Sequence, residues 1–479
     1  MEKQNPLEVF IDPKSVAVIG ASERHGSWGS FIMTGLTSVN YHGRIFPVNP
    51  RGKPIFNLPA YKDVREIQAP VDLAVLAVPE NSLEPAVIAC GQKGVKGITV
   101  ITAGFAETSR EGVNRQADLS RLAASYGMRV LGPNVSGTFN LFAGFNASSI
   151  PGHSLLTKPV AVICQGGYAF YEMLSVAAEK GYGVGWFLHT GNESDVSISD
   201  FLGYFGQHPD VKVILMYIEA VRDGKKFLKA ARLAKGKKPI VIYKAGRTKG
   251  SARAALSHTG AMAGDKMIYQ GVFKQIGAVM CPAMELLLPA AHALLERPPL
   301  KGRRVGIITV GGSWGVSLCD ALEENDLEVP EFTRTLQTAL RNLGLPERAS
   351  VRNPADFGAS GMFLSQEMPV MMAREILSSG EVDALVVHGF GRPGMHDART
   401  APEMKFFLEI EKNQVKGMCE LEKEFNLPVV IGSHYTPWQS QAVYDLNHDG
   451  IRVYDRLTEI AQLLSLMRKA SCQKVRSEI

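Results

Sequence analysis

The octapeptide Ser257-His-Thr-Gly-Ala-Met-Ala-Gly264 sets one histidine among residues too small to enclose it. Imidazole is neutral and nucleophilic near neutral pH, so a phosphate that reaches His258 can leave its phosphoryl group on the ring, and the ring can pass it on. A loop histidine in a Gly/Ala turn is the plain alternative. Glu219 directly follows the apolar run Val211–Ile218, which reads as a buried strand, and so falls at the ligand-facing edge of a sheet. A carboxylate there can hold one imidazole nitrogen and leave the other to attack phosphorus. A surface glutamate, or one paired with Arg222, Lys225 or Lys226, is the alternative.

Two glycine-bearing turns suit phosphate. Cys164-Gln165-Gly166-Gly167 ends an apolar run and precedes a helical pattern from about Ala169, so it presents backbone N–H groups at a helix N-terminus. Gly20-Ala-Ser-Glu-Arg-His-Gly-Ser-Trp-Gly29 ends the run Val16–Ile19 and leads into a helix expected near Ser30. Gly20, Ala21, Ser22, Gly26, Trp28 and Gly29 form that second candidate cradle, in which glycines let the backbone approach a phosphate. An NAD site would place an acid at the end of the following strand. That strand instead ends in Phe46-Pro-Val-Asn49-Pro-Arg51-Gly-Lys53, whose bases suit a phosphate better than a free ribose. Coenzyme A carries such a 3′-phosphate, and a nicotinamide-dependent dehydrogenase is correspondingly disfavoured.

The elements that must position these residues repeat. Val16-Ala-Val-Ile-Gly-Ala-Ser22, Val160-Ala-Val-Ile-Cys-Gln-Gly-Gly167 and Val305-Gly-Ile-Ile-Thr-Val-Gly-Gly-Ser-Trp-Gly315 each open a βα unit, about 145 residues apart. Short apolar strands alternate with helices throughout, which predicts an α/β chain of three doubly wound parallel sheets. Pro151-Gly152 and the stretch Pro298 to Arg304 read as boundaries, giving domains 1–150, 151–299 and 300–479.

With 479 residues, 45% hydrophobic, 21% charged and a net charge of +5, the chain has an ordinary globular composition. Its bases are scattered without aromatic interleaving, so nucleic-acid binding has no support. The six cysteines are widely spaced, and no Cys-x-x-Cys or metal-type His cluster occurs. No metal site, membrane span or signal peptide is expected, and the chain reads as cytoplasmic.

An ordered set of motifs resembles the α subunit of the ADP-forming acyl-CoA synthetases, and more distantly that of succinyl-CoA synthetase. These are Val-Ala-Val-Ile-Gly-Ala-Ser, Phe-Pro-Val-Asn-Pro, Thr-Ala-Gly-Phe-Ala-Glu, Leu-Gly-Pro-Asn, Gly-Asn-Glu-Ser-Asp, Tyr-Ile-Glu, the His258 octapeptide and Arg-Asn-Pro-Ala-Asp. The resemblance implies a Rossmann-like CoA-binding domain followed by two flavodoxin-like domains, the last of the ligase-CoA type. It implies that CoA lies along Gly20–Ser22, Gly26–Gly29, Asn49 and Arg51, with further contacts from Val78, Pro79, Phe105, Glu107 and Asn134. Gln165, Gly166 and Gly167 then hold phosphate, while His258 is transiently phosphorylated and Glu219 steadies it. The substrate would be a small carboxylic acid or its acyl-CoA. No ATP-grasp segment is found, so ATP or ADP and Mg²⁺ are expected on a separate ATP-grasp β subunit, in an αβ or α2β2 assembly.

Two features depart from the family pattern. The phosphate turn usually reads Ser-x-Ser-Gly, so two hydroxyl donors are missing at 164 and 166, and bulky Tyr168, Phe170 and Tyr171 follow. A CoA-binding or acyl-CoA-binding partner protein with lost or altered phosphoryl transfer is therefore the competing expectation. Val135 stands where the family commonly has cysteine, a change expected only to repack.

Overall fold

The apolar runs form strands because Val and Ile on both faces of a short segment can be buried only between two helical layers. In a computed structural model, which describes residues 5–251, 253, 266–357, 367–391 and 402–478, seventeen strands form three sheets. The chain divides into two compact units, one of residues 1–175 with 182–288, the other of residues 176–181 with 289–479.

The first unit holds two sheets. Strands β1 (Ser15–Ile19), β2 (Arg44–Val48), β3 (Leu73–Leu76), β4 (Gly97–Val100) and β5 (Arg129–Leu131) are all parallel in the order β2-β1-β3-β4-β5. Tyr61 adds a single parallel bridge to Val48 outside β2, which extends the order toward the 3-2-1-4-5-6 pattern of dinucleotide-binding sheets. The helix after β1 begins at Trp28, two residues before the expected start, because Ser27 caps it by accepting from Ser30 N–H at 3.3 Å.

The second sheet differs from the expected wholly parallel one. Its parallel strands are β8 (Val160–Cys164), β9 (Trp186–His189), β10 (Val213–Ile218), β11 (Ile240–Lys244) and β12 (Ala278–Met280). Two antiparallel strands, β6 (Gly137–Asn140) and β7 (Phe145–Ser148), extend it on the β9 side, giving the order β12-β11-β10-β8-β9-β6-β7. Strands of this sheet thus begin ahead of the boundary expected near residue 150. The helix Trp28–Ser38 lies against β7 so closely that a Cβ at Gly35 would stand 2.7 Å from the Asn146 carbonyl oxygen. One core, including Ile32, Met33, Phe145, Ile163 and Met216, therefore runs through both layers.

The second unit carries β13 (Val305–Thr309), β14 (Ala355–Asp356), β15 (Ala384–His388), β16 (Val429–Gly432) and β17 (Val453–Tyr454) in the parallel order β14-β13-β15-β16-β17. This is the flavodoxin-like 2-1-3-4-5 order, and β8 to β12 repeat it. Arg352-Asn-Pro-Ala-Asp356 proves to be a clasp on β13. Asn353 Oδ1 accepts from Ile307 N–H at 3.0 Å, and its amide donates to the Val305 and Pro330 carbonyls at 3.0 and 2.9 Å. Among the described residues no helix is long and apolar enough to cross a membrane.

Candidate functional site

In both sheets of the first unit the described candidate residues follow the carboxyl ends of the strands, several of them beside the point where strand order reverses, where open α/β sheets bind ligands. In the first sheet that point lies between β1 and β3. Gly20 has φ +92°, and a Cβ there would stand 2.4 Å from the Ala77 carbonyl oxygen. A Cβ at Gly29 would stand 2.0 Å from the Gly20 carbonyl oxygen, so only glycines let the turn fold back on the helix start. The result is a bare backbone cradle at a helix N-terminus, a shape that fits a pyrophosphate.

Not every residue of the cradle points at a ligand. Gly20 and Ala21 N–H both donate to the Val48 carbonyl, at 3.0 and 3.2 Å, and so shape the turn. Asn49 braces it: its amide donates to the Ala21 carbonyl at 2.8 Å while its oxygen accepts from Arg51 N–H at 3.0 Å. Arg51 is thereby held at the strand end with its side chain exposed. Trp28 is 44% exposed and meets Phe31 edge to face, which leaves an aromatic surface at the helix start.

Along the same edge, Val78 is half-buried and Pro79 exposed, and Thr102 hydroxyl donates to the Val78 carbonyl at 2.6 Å. Phe105 is buried in the core behind the edge. The Glu107 carboxylate accepts from Gly104 and Phe105 N–H at 2.6 and 3.1 Å and from the Asn192 amide. Although burial opposes it, these donors keep the carboxyl below its ordinary range. Asn134, at φ +63°, donates from its side chain to Asn192 Oδ1 at 3.4 Å. Val135, as expected, is simply buried.

In the second sheet β8 and β10 flank the reversal, and the turn Cys164–Gly167 and Glu219 stand at their ends. His258 lies outside the described residues. Glu219 is 8% exposed, so the surface-loop alternative does not hold. Its N–H, and that of Ala220, donate to Gln165 Oε1 at 2.6 and 3.0 Å, while the Gln165 amide donates to the Ala220 carbonyl at 2.8 Å. The Gln165 side chain is thus spent on tying the phosphate turn to the Glu219 strand end. Donors for phosphate must come from backbone N–H groups at the start of the helix Ala169–Lys180.

The missing hydroxyl at 166 has a steric cause. A Cβ on Gly166 would lie 2.7 Å from Tyr217 Cε1 and 3.2 Å from Glu219 Oε1, and one on Gly167 would lie 3.0 Å from His189 Cε1. Two aromatic rings fill the volume that side chains at 166 and 167 would need. Of the bulky residues that follow, Phe170 is fully buried against Phe139 and Phe187, whereas Tyr168 is 86% exposed. Tyr171 hydroxyl donates to the Ser149 carbonyl at 3.2 Å.

Three further residues belong to the site. Lys244 closes β11, 2% exposed, and donates to the Glu219 carbonyl at 2.8 Å and to the Ala245 carbonyl. Burial pulls its ammonium down to about 8, against the opposing pull of Glu219. Its charge sits 4.5 Å from the Tyr269 ring centre, and Tyr269 hydroxyl accepts from Val221 N–H at 3.1 Å. Tyr269 stands on Lys266–Ile276, so the first described helix after the octapeptide is fastened beside Glu219. His189 closes β9 beneath the turn. A polar residue ending an apolar run was the available signal for both Lys244 and His189, the same one that singles out Glu219.

Comparisons with known proteins identify two domains and several relatives. Residues 14–139 match a CoA binding domain, and residues 157–294 match a succinyl-CoA ligase like flavodoxin domain. The chain is 33% identical over 474 residues to the α subunit of acetate–CoA ligase (ADP-forming) I of Pyrococcus furiosus, covering 98% of this chain and 99% of that one. The α subunit of isoform II from the same organism is 35% identical over 381 residues, covering 79% and 81%. A solved dinucleotide-forming acetyl-coenzyme A synthetase 1 of Ca. Korarchaeum cryptofilum, in complex with phosphate and ADP, superposes with a TM-score of 0.83 at 31% identity, covering 98% of this chain and 97% of that one.

Proposed function

Because the chain belongs to the ADP-forming acyl-CoA ligases as an α subunit, we propose that it binds CoA on its first sheet and carries a phosphoryl group on His258 between two half-reactions. The observation that carries the reading is the pairing of two backbone cradles, each at the reversal point of its sheet, with Glu219 buried beside the second. The net reaction is carboxylate + CoA + ATP ⇌ acyl-CoA + ADP + phosphate. In the acyl-CoA-consuming direction, phosphate displaces the CoA thiolate to give an acyl phosphate. An imidazole nitrogen of His258 then attacks phosphorus, breaking its bond to the acyl oxygen and releasing the carboxylate, and the phosphohistidine gives its phosphoryl group to ADP to form ATP.

The resemblance gives each residue a part that its surroundings allow. Gly20 to Ser22 and Gly26 to Gly29 accommodate the pyrophosphate, Arg51 answers the 3′-phosphate, and Trp28 offers a face to the adenine. Val78, Pro79 and Asn134 line the path of the pantetheine, while Phe105 and Glu107 hold the shape of that edge. The turn from Gln165 to Gly167 presents the N–H groups of Gly166 and Gly167 to the transferring phosphate at a helix N-terminus, where developing negative charge is stabilised. Glu219 orients the His258 ring and favours its protonated or phosphorylated form. ATP or ADP with Mg²⁺ is assigned to an ATP-grasp β subunit, in an αβ or α2β2 assembly in the cytoplasm. CoA titrated calorimetrically into the chain, followed by reconstitution with that β subunit, tests the reading. Absence of CoA binding overturns it, and CoA binding without acyl-CoA formation favours a CoA-binding protein that has lost phosphoryl transfer.

A further inference from the structure

His189 is 4% exposed and engaged at both ring nitrogens, yet no step of the proposed reaction uses it. Nε2 stands 2.9 Å from the Gln165 carbonyl oxygen, and Nδ1 stands 2.7 Å from Ser136 N and 3.0 Å from its hydroxyl. A carbonyl can only accept and an amide N–H can only donate, so the proton resides on Nε2 and Nδ1 is the acceptor. Burial draws the ring down to about 4, in keeping with a permanently neutral imidazole.

The two groups it joins belong to different parts of the site. Gln165 opens the phosphate turn, while Ser136 lies two residues beyond Asn134 on the CoA edge. The seam around the ring is continuous. Thr190 N–H donates to the Cys164 carbonyl at 2.9 Å, Asn192 N–H to the Pro133 carbonyl at 3.0 Å and Ser194 N–H to the Gly132 carbonyl at 3.0 Å. Asp195 then receives Arg129 through two bonds of 2.8 and 2.9 Å and Val130 N–H at 2.8 Å. The loop after β9 is therefore stitched to the phosphate turn on one side and to Val130–Ser136 on the other, with His189 at the point where both meet.

We propose that His189 is a positioning residue that holds the CoA edge and the phosphate turn in register, so that occupancy of one is sensed at the other. The inference rests on the function proposed above. Its donor end fixes the Gln165 carbonyl inward, which leaves the N–H groups that follow to face the ligand. Its acceptor end fixes Ser136, and with it the segment carrying Asn134. Displacement of either segment must strain or break a bond to the shared ring.

The test is a linkage measurement on the full chain with CoA and inorganic phosphate as probes. CoA affinity is measured by calorimetry with and without saturating phosphate in the wild type, His189→Gln and His189→Asn. Glutamine keeps a donor for the Gln165 carbonyl, and asparagine keeps an acceptor for Ser136, but neither spans both. The expected result is at least a fivefold effect of phosphate on CoA affinity in the wild type that falls below twofold in both variants, each still binding one ligand near its wild-type affinity. Equal coupling in all three proteins, or none in a wild type that binds both ligands, overturns the inference and leaves the proposed function standing. A wild type that binds neither overturns the function as well. If a variant does not fold, ¹⁵N spectra of the wild-type ring decide: a neutral Nε2–H tautomer unchanged from pH 5.5 to 8 supports the role, and titration near the ordinary histidine value refutes it.

Discussion

Restoring serine at position 166, the hydroxyl that the family pattern carries, is expected to damage this chain rather than repair it. The new Cβ would stand 2.7 Å from Tyr217 Cε1, whereas carbon atoms in favourable contact lie about 3.5–4.0 Å apart. Tyr217 would have to withdraw by roughly 1 Å. It cannot do so freely, since its ring is stacked on Tyr243 at 5.6 Å between centres, with the Arg247 guanidinium over the far ring at 4.9 Å. Overpacking of this kind costs about 1–3 kcal/mol. In a unit of this size that lowers Tm by about 2–4 °C per kcal/mol. Scanning calorimetry of the wild type, Gly166→Ser, Tyr217→Ala and the double variant separates the clash from other effects. The serine should destabilise the wild type by about 2 kcal/mol and the Tyr217→Ala background by less than about 0.5 kcal/mol. Equal losses in both backgrounds, or an unchanged Tm for Gly166→Ser alone, would refute the steric explanation.

Arg51→Ala should weaken CoA roughly fivefold to tenfold, about 1–1.4 kcal/mol, and leave dephospho-CoA unchanged, as read by competitive titration. Lys244→Met removes the donor to two carbonyls and the cation over Tyr269, and a loss of about 1–3 kcal/mol in urea unfolding is expected. Burial pulls the folded His189 ring down to about 4 from its ordinary 6.5, so the unfolded chain binds the extra proton between these values. Its contribution, up to roughly 3 kcal/mol, is fully present above pH 6.5 and is lost as pH falls toward 4. Urea midpoints at pH 7.5 and 4.5 should differ less in His189→Gln than in the wild type.

Most parallel strands were legible as apolar runs such as Val-Ala-Val-Ile, buried on both faces, whereas β12, β14 and β17, of two or three residues each, are too short to stand out. Strands β6 and β7 were not legible either. Gly-Thr-Phe-Asn and Phe-Asn-Ala-Ser carry half polar residues, and the polar side chains are buried through hydrogen bonds such as Ser148 hydroxyl to Asn146 Oδ1 at 2.6 Å. The placement of Glu219 and the two glycine turns at strand ends was legible from the apolar runs that precede them. The site was illegible where a side chain serves another segment. The Gln165 side chain ties two strand ends and that of Asn49 braces a turn, roles that residue type alone does not announce. The Gly-Gly pair at 166 and 167 looks like a loss until Tyr217 and His189 are seen to occupy the space, a relation between residues more than twenty positions apart.

The most direct measurement is phosphorylation of the chain by its β subunit with γ-labelled ATP. The account predicts acid-labile label on His258 that disappears in His258→Ala, is sharply reduced in Glu219→Gln, and is discharged by ADP or by carboxylate with CoA. A chain that forms acyl-CoA with its partner yet carries no label at His258, or that keeps its label in His258→Ala, would contradict it.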